Sequence, residues 1–282
     1  MADAQQSTAN TPQPSHSPQP GKKAQQWWRQ TPSLVGVLAF VFSVTTGVYT
    51  LLHQHQEDIR AKKEELRKLI GDIIDVRAEF NQKIAVGGSS LTSQQRESVG
   101  SSLNNKLSCL MESADNLVQQ IPSFVSSNEY ETLAMEKQLA GNSQKAQDYL
   151  LAAVGVCREP TYKIVALRGL GIFYASKGSL HDMPKARQYF TEACSALKEP
   201  YDDAANYSLG YTCQTWGVSE IFDGNLNEGT KKVDAAKNYF NNISPLNPAR
   251  RYALEALSNT VQQLLQNAGV PPSPMSDESP GP

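Results

Sequence analysis

The side chains with the chemistry to act on a substrate are few and scattered. His53, His55 and Glu57 come nearest to a metal-ligating set. Alternate spacing puts two imidazoles on one face of a strand, not of a helix. The stretch around them reads as a helix, so no metal is expected there. His181 beside Asp182 offers an acid–base pair, but it falls in a turn between helices, where solvated side chains are the ordinary outcome. Cys109, Cys157, Cys194 and Cys213 form no CxxC pair. They read as small apolar residues on helix faces, neither zinc ligands nor a redox couple, although an even count would also suit disulfides on an exported domain. Gly169 and Gly171 make a GxG without its third glycine, inside a helix, which is no phosphate loop. No HExxH, GxSxG or GxxxxGK[ST] occurs. With four histidines and no partnered nucleophile, the sequence points to no catalytic residue, no cofactor, and a protein that is not an enzyme.

The elements that would carry such residues are organised around Ser33–Leu52, which reads SLVGVLAFVFSVTTGVYTLL and holds no charge. A helix of that length spans roughly 30 Å, the thickness of a bilayer's hydrocarbon core. In lipid every main-chain polar group must be satisfied internally, so this run is expected to be one transmembrane helix. Pro32 stands at its start, with Trp27 and Trp28 before it and Tyr49 near its end, as interfacial aromatics do. A small-residue cleavage site does not follow closely, which argues against a removed signal.

Residues 1–32 form a Gln/Ser/Pro-rich tail and residues 270–282 a second Pro/Ser-rich one; both are too poor in apolar residues to offset ordering entropy and are expected to be disordered. Residues 53–85 read as a helical stalk. Ile59, Leu66, Ile73 and Phe80 recur every seven residues, with Leu69 and Val76 between them. Lys62 and Lys83 interrupt that seam, leaving a short coiled coil at most. It suits either a homodimer through the stalk or packing on the domain that follows. Residues 86–126 are a linker through Gly87–Ser90 and an amphipathic helix. Thr92 with Gln95 makes its capping box; Leu103, Leu107, Leu110, Ala114, Leu117 and Ile121 make its apolar face, and Pro122 its end.

From residue 127 the chain repeats. Leu133-Ala134, Gly141, Ala146, Leu150, Ala153 and Pro160 are echoed by Leu170-Gly171, Gly178, Ala186, Phe190, Ala193 and Pro200. Small residues let two helices approach, and the glycine makes the turn between them. A looser third unit has Ala236, Phe240 and Ile243 in its second helix. Its first helix fits Gly210 and Gly217, or Gly217 and Gly224; a long helix through Tyr207, Tyr211 and Phe222 accommodates both. The insertion between Gly224 and Ala236, residues 225–235, then reads as a surface loop. A last helix from Pro248 shows Ala253, Leu257, Val261, Leu264 and Leu265 on one face, stopped by Gly269 and Pro271.

This pattern resembles the tetratricopeptide repeat, a helix-turn-helix unit of about 34 residues. The resemblance covers about residues 127–245. It implies an all-α fold: a TPR-like α-solenoid over residues 127–269, behind the transmembrane helix and the stalk, with the last helix covering the terminal apolar surface. It also implies a concave surface lined by the first helix of each pair. That surface would carry Glu131, Met135 and Gln138, with Asn128, from the first repeat. From the second it would carry Arg168 and Ile172, with Val165 and Ala175. Only Arg168 supplies a cation, so the basic groove of chaperone adaptors is not reproduced.

The expected function is a membrane-anchored scaffold or adaptor that binds a protein or peptide partner. The alternative is a self-associating structural or assembly protein of the membrane with no foreign groove ligand. The charge balance, 26 Lys plus Arg against 28 Asp plus Glu, asks for no nucleic acid. Lys22, Lys23 and Arg29 precede the anchor; Arg60, Lys62, Lys63, Arg67 and Lys68 follow it. The positive-inside rule thus leans toward a cell-membrane, single-pass protein with a cytoplasmic carboxyl side, the exported side staying open. Asn206-Tyr207-Ser208 and Asn242-Ile243-Ser244 are glycosylation triplets of a kind that arises often by chance.

Overall fold

A computed structural model describes residues 22–83 and 92–267, with the side chains of residues 22–38, 265 and 267 outside the description. Within it the chain is all-α: α1 (Lys22–Asn81), α2 (Ser93–Gln120), α3 (Ser127–Leu139), α4 (Ser143–Val156), α5 (Pro160–Ala175), α6 (Met183–Ser195), α7 (Asp203–Phe222), α8 (Leu226–Asn241) and α9 (Pro248–Asn267), with no strand among the described residues. Two compact units meet inside α1, one ending at Asp58 and the other beginning at Ile59. Of the tail expected over residues 1–32, residues 1–21 lie outside the described residues, as do the tail at 270–282 and the Gly87–Ser90 break; residues 22–32 are instead the first turns of α1, since no helix breaker stands between Lys22 and the apolar run except Pro32.

In the first unit, Ser33–Leu52 lies within α1. Phe40, Phe42, Tyr49, Leu51 and Leu52 are exposed. The Thr45 hydroxyl donates to the carbonyls of Val41 and Phe42 at 2.9 Å, and that of Thr50 to Thr46 at 2.9 Å. Among the described residues no helix is long and apolar enough to cross a membrane; residues 33–38 of the apolar run have side chains outside that set. His53 Nδ1 faces its i+4 neighbour Glu57 at 3.5 Å.

In the second unit, the seven-residue seam of α1 has found its partner inside the chain. Leu66, Ile70, Ile73 and Val76 are buried in one core with Leu103, Leu107, Met111 and Ala114 of α2 and with Tyr130 and Leu133 of α3. Of the two uses the seam left open, packing on the following domain is the one these side chains adopt. Charges tie the same elements together: Arg67 meets Glu129 at 3.0 Å and Arg77 meets the buried Glu136 at 2.6 Å. Asp115 of α2 accepts from Lys137 at 2.8 Å and from the Tyr149 hydroxyl at 2.5 Å. Burial and that neighbouring carboxylate push the Tyr149 phenol well above its ordinary value.

Helix ends follow local chemistry. The Thr92–Gln95 capping box closes the start of α2 from both sides. Ser126 and Glu129 make a second one on α3. Asp182 and Asp202 cap α6 and α7 by accepting from Lys185 N and Ala205 N. Gly141, at φ 79°, and Gly224, at φ 90°, make the turns α3–α4 and α7–α8, a backbone region that side chains avoid.

Three helical hairpins follow: α3 on α4, α5 on α6 and α7 on α8. The second and third each close on a phenylalanine set against a glycine. A Cβ on Gly171 would lie 2.7 Å from the Phe190 ring, and one on Gly210 only 2.4 Å from Phe240. Gly210 therefore does in the third pair what Gly171 does in the second. Gly217 makes a further close approach along the same helices, where an added Cβ would meet the Gly229 carbonyl at 2.8 Å. Both registers left open by the sequence are occupied, because α7 is 20 residues long against 16 for α5. The expected loop at 225–235 is instead the start of α8, which begins at Leu226. Glycine spacing had marked the turn correctly, but the polar residues after it occupy the outer face of a helix.

A buried polar knot fastens this lengthened pair to α6. Glu220 has no exposed surface. Its carboxylate accepts from Arg187 Nε at 2.8 Å and Nη2 at 2.7 Å, from Trp216 Nε1 at 2.9 Å and from Asn225 Nδ2 at 3.1 Å. Trp216 in turn stacks on Phe190 with ring centres 5.7 Å apart and carries the Lys232 ammonium 3.6 Å above its ring. In α9, Ala253, Leu257 and Leu264 are buried; Leu265 has its side chain outside the described set.

Candidate functional site

Within the second unit α5 touches both α3 and α7, so the first helices of the three pairs are neighbours. Of the five groove residues expected from the sequence, Glu131 and Arg168 face each other there. Glu131 and Arg168 are half-buried on facing helices, close enough for their charges to act on each other. One turn along each helix, Met135 is 56% exposed and Ile172 39%, a level at which apolar side chains signal a contact surface if they cluster. Gln138 is half-buried one turn beyond Met135.

The third helix adds residues not assigned to this face from sequence. Tyr211 lies under Arg168, its ring centre 4.6 Å from the guanidinium carbon. Tyr207 is one turn earlier, and both tyrosines are 44% exposed. Further along, Ile172 and Ala175 face Thr215, Val218 and Phe222 across a cleft of about 360 Å³. The signal was present in the i, i+4 spacing of Tyr207 and Tyr211, but the unsettled register of the third pair left the face of α7 undefined.

The electrostatics of this face differ from those of the rest of the unit. Arg168 donates to the Thr212 hydroxyl through Nη1 at a long 3.5 Å; that hydroxyl already donates to the Ser208 carbonyl at 2.8 Å. Burial lowers the guanidinium's proton affinity, partly offset by Tyr211 and Glu131. Burial likewise pushes the Glu131 carboxyl above its usual range, opposed by a 2.9 Å hydrogen bond from the Ser127 hydroxyl. No ion pair closes between the two.

Other sequence candidates occupy structural positions. His181 Nε2 lies 3.6 Å from Asp223, and Asp182 is spent on its cap. Among the described residues no group of three His, Cys, Asp or Glu could hold a metal ion. All four cysteines are free, with Cys109 exposed and Cys213 buried. Asn206 is buried and donates to the carbonyls of Tyr201 and Asp202, so a glycan there is incompatible with the packing, whereas Asn242 is exposed. A larger cleft of about 630 Å³ is lined by Arg77, Asp115, Glu136 and Lys137, but these charges satisfy one another.

Comparison with protein-family models, with curated proteins and with solved structures returned no match.

Proposed function

We propose that this chain is a membrane-anchored helical-repeat scaffold whose α3–α5–α7 face receives a segment of a partner protein. The observation that carries the reading is the exposure of Met135, Ile172, Tyr207 and Tyr211 on α3, α5 and α7, the helices that also carry half-buried Glu131 and the Arg168 guanidinium set on Tyr211. Apolar and aromatic anchors around a desolvated polar centre are what a recognition surface needs. Three hairpins with corresponding Gly–Phe contacts in the second and third support a TPR-like arrangement of the repeats. The uncharged run Ser33–Leu52 supports the anchor, as do the exposed aromatics of its described part and the threonine hydroxyls bonded back to their own helix.

Self-association through the stalk has less support, because Leu66 and Ile73 are fully covered within the chain. The test is partner capture from membranes by the full chain and by its Met135→Glu, Arg168→Glu double variant. Loss of one captured protein with unchanged circular dichroism is expected. Capture that survives the double substitution refutes the groove.

A further inference from the structure

The cleft between the carboxyl-terminal ends of α5 and α7, about 360 Å³, has apolar walls: Ile172 and Ala175 on one side, Val218 and Phe222 on the other. Phe222 is 59% exposed. The hydroxyls beside them are spent on their own helices. Ser176 donates to the Ile172 carbonyl at 2.8 Å, Thr215 to Tyr211 at 2.8 Å and Ser219 to Thr215 at 2.9 Å. The cleft therefore suits an apolar side chain better than a polar one. Charge stands at its rim. Lys177 is exposed and makes no ion pair among the described residues, whereas Asp223 already faces His181 at 3.6 Å and Arg187 at 3.8 Å. An apolar residue followed closely by carboxylates is the complementary segment.

The chain delivers such a segment to this place. α9 starts at the first turn of α7, where Asp203 accepts from Ser244 N and from Asn247 Nδ2, both at 2.9 Å. Farther along, Gln214 Nε2 donates to the Thr260 hydroxyl at 3.1 Å. The two helices thus run in the same direction. From Thr260 to Asn267 α9 rises about 10 Å, and from Gln214 to Phe222 α7 rises about 12 Å, so α9 ends level with Phe222. Residues 268–282 follow; they hold no Lys or Arg, and Met275 stands just before Asp277 and Glu278. The stretch from Asn267 to Met275 includes Pro271, Pro272 and Pro274. Extended, it spans about 25 Å, and packed helices lie only about 8–10 Å apart, so Met275 can reach across α7 to the cleft. We propose that residues 268–282 fold back over α7, seating Met275 between Ile172 and Phe222 and setting Asp277 and Glu278 beside Lys177. Resting on the groove reading above, this segment covers part of the partner face and is displaced when the partner binds.

The test places p-benzoylphenylalanine at Met275 of the full chain, purified in detergent, and maps the photo-adduct by peptide mass spectrometry. An adduct within the chain, to residues 169–177 or 215–223, is expected. Phe222→Glu, at an exposed side chain, should lower its yield at least fivefold. Lys177→Glu should lower it about twofold, and Asp277→Lys with Glu278→Lys should restore it in that background. No adduct, adducts spread over other helices, adducts to a second copy, a yield indifferent to Phe222→Glu, or a charge swap that restores nothing overturns the proposal. The groove reading is judged apart: capture that survives the Met135→Glu, Arg168→Glu double variant refutes it and leaves the adduct within the chain as it stands.

Discussion

Replacing Glu220 by alanine is the sharpest test of how the lengthened third hairpin is held. Its carboxylate is fully covered and accepts four hydrogen bonds from three residues on α6, α7 and the α7–α8 turn. Removing one partner of a buried pair commonly costs about 3–5 kcal/mol. Here the value is discounted, because Arg187 is 39% exposed and can rehydrate and Asn225 is exposed. Trp216 Nε1, by contrast, loses its acceptor in a half-buried place. The balance is about 2–4 kcal/mol, or roughly 5–12 °C in Tm for a unit of this size. The assay is thermal unfolding of the full chain in detergent, followed by circular dichroism, for Glu220→Ala and Glu220→Gln.

The pH dependence has a definite sign. Hydrogen bonds from Arg187 hold the Glu220 carboxyl below its ordinary value of 4.5. A depressed folded-state value means that the stabilisation is complete above about pH 4.5 and is lost as pH falls through the lower folded value. The gap between the unaltered chain and Glu220→Gln should therefore be constant at neutral pH and narrow on acidification. A Tm loss under about 2 °C for both variants, or a gap that widens in acid, would refute the reasoning.

Two further perturbations bear on the packing. Gly210→Ala puts a methyl 2.4 Å from the Phe240 ring and should cost about 1–3 kcal/mol, as should Gly171→Ala against Phe190; a neutral Gly210→Ala on chemical denaturation would deny the equivalence of the two pairs. Leu66→Lys with Ile73→Lys should unfold the domain, since both side chains are fully covered, and a well-folded variant that merely loses oligomers on sedimentation would return the seam to a dimer.

What was readable in the sequence, and what was not, divides along the range of the interactions. Thr92 with Gln95, the turns at Gly141 and Gly224, and the facing of Phe190 toward Gly171 are set within one helix end or one hairpin, so spacing alone exposed them. Ser126 with Glu129 has the same capping spacing and went unnoticed, although the signal was there. The knot at Glu220 joins residues 33 positions apart, and no periodicity announces such a pair. Residues 225–235 looked like a loop because their polarity is that of an exposed helix face too. The facing of Glu131 and Arg168 was legible from the repeat frame. The place of Tyr211 beside Arg168 was not, because Tyr207 and Tyr211 could be placed only once the close contact of Gly210 with Phe240 fixed the rotation of α7.

The central claim is that the α3–α5–α7 face is occupied by a partner. Placing the photo-cross-linking residue p-benzoylphenylalanine at Ile172, and separately at the exposed Lys237 of α8, tests it in intact membranes. The account predicts one discrete heterologous adduct from position 172, abolished by Arg168→Ala, and none from position 237. Equal adducts from both positions, adducts only with other copies of the chain, or an adduct indifferent to Arg168 would contradict it.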